Sequence, residues 1–316
     1  MLGTLVQQTF NAVTIGAIYA LIALGYTMVY GILRMINFAH GEMFMLGAYF
    51  AFVVLAMLSP FTGGAEALLF TVTFFAAAAG VGILGIGIER VAYRPLRRST
   101  RLAPMLSSLG VSLVLQTGTQ LLAGPQPRAF PSFLPNHRFE LFGGSVTTAQ
   151  IGIVVIALAL MVGLDLLVNR TRSGILVRAV SESRTTAQLL GIDVDRAIAF
   201  IFLVGPVLGA AGGILYAGYY GIATPTMGVA VGLKAFTAAI LGGIGSIHGA
   251  VLGSFVLAAV EVAGTALLPI LSGGTLGTEY RDVFAFAILI LVLVFKPAGI
   301  LGEPVSEETF VYKREF

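Results

Sequence analysis

The sequence predicts an all-α fold, a polytopic transmembrane helical bundle with about eight or nine membrane-spanning segments, some broken by glycines. Three observations lead there. Of the 316 residues, 57% are hydrophobic and 10% are charged, whereas a soluble domain carries about 25% charged residues. Apolar stretches recur at the length of roughly 20 residues that a helix needs to cross a bilayer. Ten of the 18 Lys and Arg residues crowd into two short windows between such stretches: Arg90, Arg94, Arg97, Arg98 and Arg101, then Arg170, Arg172, Arg178, Arg184 and Arg196. Clustered Arg in short loops marks the cytoplasmic side.

The segments read 9–31, 41–58, 67–88, 103–123, 149–168, 197–219, 229–246, 248–269 and 282–297. No basic residue precedes the first, which argues against a cleaved signal peptide and predicts a retained first helix. The fourth is the most polar, with Ser107, Ser108, Ser112, Gln116, Thr117, Thr119 and Gln120. Such residues are expected to face the bundle interior or a water-filled cavity. The seventh is broken by Gly242, Gly243 and Gly245 and reads as a half-helix paired with its successor, so eight and nine crossings both fit. With both Arg windows inside, the N-terminus lies outside and Lys296, Lys313 and Arg314 lie inside. Residues 124–148, with Pro125, Pro127, Pro131 and Pro135, then form an ordered external loop. Glycine-rich helix pairs near 30–50 and 221–250 are too weakly alike to assert an internal duplication. The 40 glycines suit close helix packing in lipid, and the absence of Cys excludes disulfides and thiolate chemistry. Arg placement explains the net charge of +3, so no nucleic-acid partner is expected.

Charge in a bilayer is costly, so deep ionisable residues are read as functional or paired. Glu42 and Glu261 are the deep acids, with Asp165 nearer a helix end, and Lys234 is the deep base. A structural tie from Lys234 to Glu261 and a functional role are both open. Asp165 is expected at the interface, snorkelling or paired with Arg170 or Arg172. The polar stretch Arg34, Asn37, His40 and Glu42 opens a helix, with Asn37 at the cap and Glu42 complementing the dipole. It reads either as a capped cytoplasmic hairpin or as a gate or partner contact. His248 reads as a structural hydrogen-bonding residue, and no second His or Cys at ligand spacing supports a metal site.

No P-loop, H-E-x-x-H or G-x-S-x-G motif is present, so neither ATP binding by a P-loop nor those hydrolase chemistries is expected. Ser246 and His248, two residues apart, would point to different faces of a helix, which disfavours a hydrolase pair. No catalytic residue, metal or cofactor is assigned. In the 28-residue stretch 169–196, a helix is expected from Ile175 to Leu190, stopped by Gly191, with Asp195 capping the next. That helix reads either as a handle for a soluble partner or as a membrane-surface helix with its Arg on lipid headgroups.

The chain resembles the LivH-type permeases of ATP-binding-cassette importers for branched-chain amino acids, nearly end to end. The resemblance rests on five stretches: A-L-I-A-L-G-Y-T-M-V-Y-G at 20–31, M-I-N-F-A-H-G-E at 35–42, I-E-R-V-A-Y-R-P at 88–95, L-L-G-I at 189–192 followed by Asp195 and Arg196, and K-A-F-T-A-A-I-L-G-G-I-G-S at 234–246. His248 departs from it, standing where Pro is expected. The resemblance implies one transmembrane permease domain over residues 1–316, including a cytoplasmic coupling loop at 169–196. It implies a non-enzymatic transport subunit in a bacterial cytoplasmic (inner) membrane, and no cofactor. Its partners would be a second LivM-like permease, two cytoplasmic ATPases, an extracytoplasmic solute-binding protein and membrane lipid. Ala179, Glu182, Ala187, Leu190 and Gly191 would couple to the ATPase. Asn37, His40, Glu42, Lys234 and Glu261 are the candidate pathway or gate residues. Related permeases carry urea, short amides or other neutral amino acids, and a stand-alone secondary transporter or channel is the alternative outside the family.

Overall fold

The computed structural model describes residues 2–61, 66–97, 99–100, 102–131, 137–271, 273 and 281–302. Arg98, Arg101, Pro135, Lys313 and Arg314 lie outside them. The elements run α1 (Leu2–Leu33), α2 (His40–Leu58), α3 (Glu66–Ile88), α4 (Leu102–Ala123), β1 (Arg128–Ala129), β2 (Arg138–Leu141), β3 (Gly144–Thr147), α5 (Thr148–Arg170), α6 (Arg172–Glu182), α7 (Arg184–Leu189), α8 (Val194–Tyr220), β4 (Ile222–Ala223), α9 (Met227–Gly242), α10 (Ile247–Leu271) and α11 (Arg281–Phe295). Every expected segment coincides with a helix. Among the described residues six helices are long and apolar enough to cross a membrane: α1, α2, α3 with its extension to Leu96, α5, α8 and α10. α4 has 22 residues but carries the polar set noted above, while α9 has 16 and α11 has 15.

α1 and α8 form the centre. Residues 17–24 of α1 are buried throughout, and α10, α8, α9 and α5 pack around that helix. α2 and α3 pack against α8. Lipid is as apolar as Leu, so helix association depends on close packing rather than on expulsion from water. The α2–α8 crossing meets this demand: a Cβ at Gly47 would overlap the Ala210 backbone, and one at Gly213 would overlap the Phe44 carbonyl. α4 is polar on its inner side and apolar on its outer side. Ser108, Ser112 and Thr119 are buried, whereas Leu106, Leu113, Val114, Leu121 and Leu122 are exposed. Thr117, expected inside, is exposed.

Hydrogen bonds define two ends. At one, Ser145 N donates to Gln7 Oε1 (2.8 Å), and Gln150 Nε2 donates to Asn11 Oδ1 (3.2 Å). There β2 pairs with β3, and β1 pairs with β4. At the other, Arg184 Nη2 donates to the Ile32 carbonyl (2.7 Å), and Asp195 pairs with Arg94 and Arg97. The described residues of the two Arg windows therefore share one end. The expected half-helix break is real: α9 stops at Gly242, and Gly243 (φ 109°) and Gly245 (φ 103°) turn the chain into α10. The amides of Ile300 and Leu301 donate to the carbonyls of Leu241 (2.9 Å) and Gly242 (2.8 Å), supplying partners that a helix C-terminus lacks.

Candidate functional site

Residues 34–42 are not a surface hairpin. α1 ends at Leu33 beside the Arg-rich end, and Arg34 reverses the chain with a positive φ of 52°. The chain then turns back into the bundle. His40 is wholly buried, packed on Gly25, Gly205 and Gly209, with its ring edge-on to Tyr26 at 4.7 Å. At 1.5 Å per residue, Gly205 and Gly209 lie about 17–22 Å along the roughly 40 Å of α8. α2 therefore begins inside the bundle, about midway along α8. Its N-cap position is Ala39 rather than Asn37. Asn37 sits two residues earlier, where its Oδ1 accepts from the Ala39 amide (3.1 Å) and from Tyr93 Oη (2.6 Å).

A second helix N-terminus meets this one. A Cβ on Gly41 would fall against the Gly228 carbonyl and Gly232 Cα, so the first turns of α2 and α9 touch backbone to backbone. Glu42, in the first turn of α2, is wholly buried between them. Ser112 Oγ donates to its Oε1 (3.0 Å), and Oε2 lies beside Gly228 without a hydrogen-bond partner among the described residues. Both helix N-termini carry partial positive charge, which favours a carboxylate there. Sequence reasoning named Glu42 and turned Ser112 toward the bundle interior without joining the two, and it missed Gly228 and Tyr93. The one signal for Ser112 was its spacing of four from Ser108 on a polar helix face.

The deep base and the second deep acid do pair. Lys234 Nζ lies 2.7 Å from Glu261 Oε1 and 2.7 Å from Asp282 Oδ1. Tyr19 Oη donates to Glu261 Oε2 (2.9 Å). This cluster ties α1, α9, α10 and α11, and is separate from the Glu42 contacts. Asp282 was not foreseen because it stands at a helix start. Asp165 takes neither Arg170 nor Arg172: its Oδ1 accepts from Asn169 Nδ2 (2.8 Å) and lies 3.7 Å from His248 Nε2. His248 itself is exposed rather than built into the packing.

The loop after α5 corrects the expected single helix over 175–190. Ser183 interrupts it with extended backbone (φ −153°, ψ 111°), ending α6 and capping α7 through a bond from the Thr186 amide. Gly191 has the expected left-handed φ of 78°. The cap of α8 is Asp193, whose carboxylate accepts from the Arg196 amide (3.1 Å), not Asp195. Of the candidate coupling residues, Glu182, Leu190 and Gly191 are exposed, Ala179 is half-buried and Ala187 is only 2% exposed. Leu189 and Leu190 stand out at 83% and 74% exposed. Asp195 instead engages the end of α3, pairing with Arg94 and with Arg97 (2.7 Å), while Arg97 also pairs with Glu89. Burial lowers the Arg97 pKa, Asp195 opposes that shift and Arg184 adds to it.

The family model for the branched-chain amino acid transport system permease component matches residues 8–293. The chain belongs to that family. It is 44% identical over 306 residues to the high-affinity branched-chain amino acid transport system permease protein LivH of Salmonella typhimurium, covering 96% of this chain and 97% of that one. It is 42% identical to the permease BraD of Pseudomonas aeruginosa over the same shares, and 30% identical to a probable LivH of Methanocaldococcus jannaschii, covering 92% of this chain and 91% of that one. No solved structure matches. In this member of the permease family, the stretch 88–95 is the end of α3 with its wide turn, and 234–246 is α9 with its glycine hinge.

Proposed function

We propose that this chain is the membrane permease subunit of a binding-protein-dependent ATP-binding-cassette importer, carrying branched-chain amino acids across a bacterial cytoplasmic membrane. The observation that carries the reading is identity of 44% over almost the full length of both chains with a permease of that stated system. In the proposed assembly a second, LivM-like permease stands beside this chain. Two ATPases dock beneath the Arg-rich end, and a solute-binding protein delivers the amino acid at the opposite end.

The helices alternate between the two ends, which favours nine crossings, with α9 descending from mid-depth and the N-terminus outside. The exposed pair Leu189 and Leu190, with Glu182 and Gly191, would present the ATPase contact, since apolar side chains gathered at a loop tip call for a covering partner. Ala179 and Ala187 would support that surface from beneath. Asn37, His40 and Glu42 would form the gate where α2 meets α9. Lys234 and Glu261 would hold α9, α10 and α11 together, because their charges are spent on one another and on Asp282. That pairing weakens the alternative of a stand-alone ion-coupled transporter.

The test is co-expression of the chain with its operon neighbours, affinity purification, and uptake of radiolabelled leucine by proteoliposomes. Co-purification of ATPase subunits and ATP-dependent uptake that requires the binding protein are expected. Uptake by the purified chain alone, driven by an ion gradient, would overturn the reading.

A further inference from the structure

The stretch 88–95 sits away from the loop tip and from the α2–α9 meeting, yet it touches what leads to both. α3 does not end cleanly. Residues Glu89–Tyr93 form a wide π-helical turn, followed by a tight turn at Arg94–Leu96. Pro95 explains the widening: it has no amide to offer the Val91 carbonyl, and its ring crowds that oxygen. Such turns inside helices recur at functional positions.

On one side the turn carries charge. Buried Glu89 pairs with Arg97, and the two oxygens of Asp195 are divided between Arg94 and Arg97. The four groups sum to zero charge. Asp195 is in the first turn of α8, four residues after Gly191 ends the loop. On the other side the turn carries hydrogen bonds. Tyr93 Oη donates to Asn37 (2.6 Å), and the Ala92 carbonyl accepts from Ser107 Oγ (3.0 Å). The next residue, Ser108, accepts the Phe38 amide at its Oγ (3.2 Å), and one helical turn further Ser112 holds Glu42 (3.0 Å). A cavity of about 370 Å³, lined among others by Tyr93, Arg97, Val180 and Arg184, lies between the α6–α7 corner and this turn.

We propose that Glu89, Arg94, Arg97 and Asp195 form an ionic latch that transmits displacement of the α6–α7 loop to the start of α2. They are positioning residues, acting through Tyr93 and Asn37 on the turn that holds Glu42. The ionic contact suits this use. Two acids and two guanidinium forks have more than one way to pair, so the latch can change partners as the loop moves while α3 and α8 stay whole. This inference rests on the importer-subunit reading, because it needs an ATPase to move the loop.

The experiment uses the full assembly in proteoliposomes and measures leucine transported per ATP hydrolysed. Asp195→Asn keeps shape, lies at the surface end and removes the charge that holds both Arg residues. It is expected to co-purify with the ATPases at wild-type stoichiometry and to hydrolyse ATP, while transport per ATP falls by between about 5- and 150-fold, the range of ordinary coupling between sites. Asp195→Glu, which restores the charge, is expected to recover most of the loss. Glu89→Gln probes the buried end, and the double variant should be no worse than the poorer single, since both open one latch. Normal assembly with wild-type transport per ATP in Asp195→Asn overturns the latch, and so does a loss that Asp195→Glu does not recover. Failure of the wild-type chain to bind ATPases at all would instead refute the importer-subunit reading.

Discussion

Replacing Lys234 by Met keeps the length of the side chain and removes the cation that Glu261 and Asp282 share. The two acids then differ in their fate. The Asp282 side chain is about half exposed (47%) and can be rehydrated. Glu261 is only 4% exposed and keeps the Tyr19 hydroxyl as a donor at 2.9 Å. Removing one partner of a buried pair costs about 3–5 kcal/mol, because the other charge stays behind without compensation. Glu261 keeps the Tyr19 donor in the variant and is not wholly stranded, so a loss near the lower bound, about 3 kcal/mol, is expected for Lys234→Met. The double variant Lys234→Met with Glu261→Gln removes the stranded charge and should recover most of that loss. The assay is reversible unfolding of the purified chain in mixed micelles, titrating SDS and following helical circular dichroism, with both singles and the double forming a cycle. A single-variant loss under about 1 kcal/mol, or additive losses in the double, would refute the pairing as a structural tie.

Leu190→Asp should abolish ATPase co-purification without changing thermal stability, because the side chain is exposed; retention of the ATPase would show that the loop tip is not the contact. Ala187→Trp differs, since Ala187 is buried: it should lose docking and also lower the melting temperature, and a fully stable variant would contradict that burial. Gly213→Ala forces a Cβ onto the Phe44 carbonyl; overpacking of this kind costs about 1–3 kcal/mol, measurable by the same SDS titration, and an unchanged midpoint would refute close α2–α8 contact. Single Cys residues are clean probes in a chain without Cys. Ser145→Cys should react with a membrane-impermeant maleimide from outside and Leu190→Cys only from inside, and the reverse pattern would invert the topology.

Much of the fold was legible because the bilayer demands it. An unpaired backbone amide in lipid is so costly that an apolar run of sufficient length must be helical, and all nine segments are. The two Arg windows were expected at one end for the same reason, and Arg94, Arg97 and Arg184 do lie together there. Gly191 and the Gly243–Gly245 turn could be read because few residues other than glycine enter positive φ. The local errors came where two polar residues compete for one role. Ser183, Asp193 and Asp195 all suit a helix cap, and only packing decided that Ser183 breaks the loop helix and Asp193 caps α8. It also released Asp195 to meet Arg94 and Arg97.

The candidate site divides along the same line. Sequence alone marked Glu42, Lys234 and Glu261, because burying any charge in an apolar segment requires a reason. It could not tell that Lys234 and Glu261 satisfy each other 27 positions apart while Glu42 takes its hydrogen bond from Ser112. Nor could it tell that residues 34–42 turn inward into the bundle, because a loop that follows a spanning helix looks the same whether it stays at the surface or re-enters. That choice belongs to Gly25, Gly205, Gly228 and Gly232, whose missing side chains leave room for His40 and for two helix N-termini to meet. Periodicity and charge along a chain determine which segments enter the membrane and which end faces the cytoplasm. The pairing of side chains distant in sequence is set by shape, and shape exists only once the helices have packed.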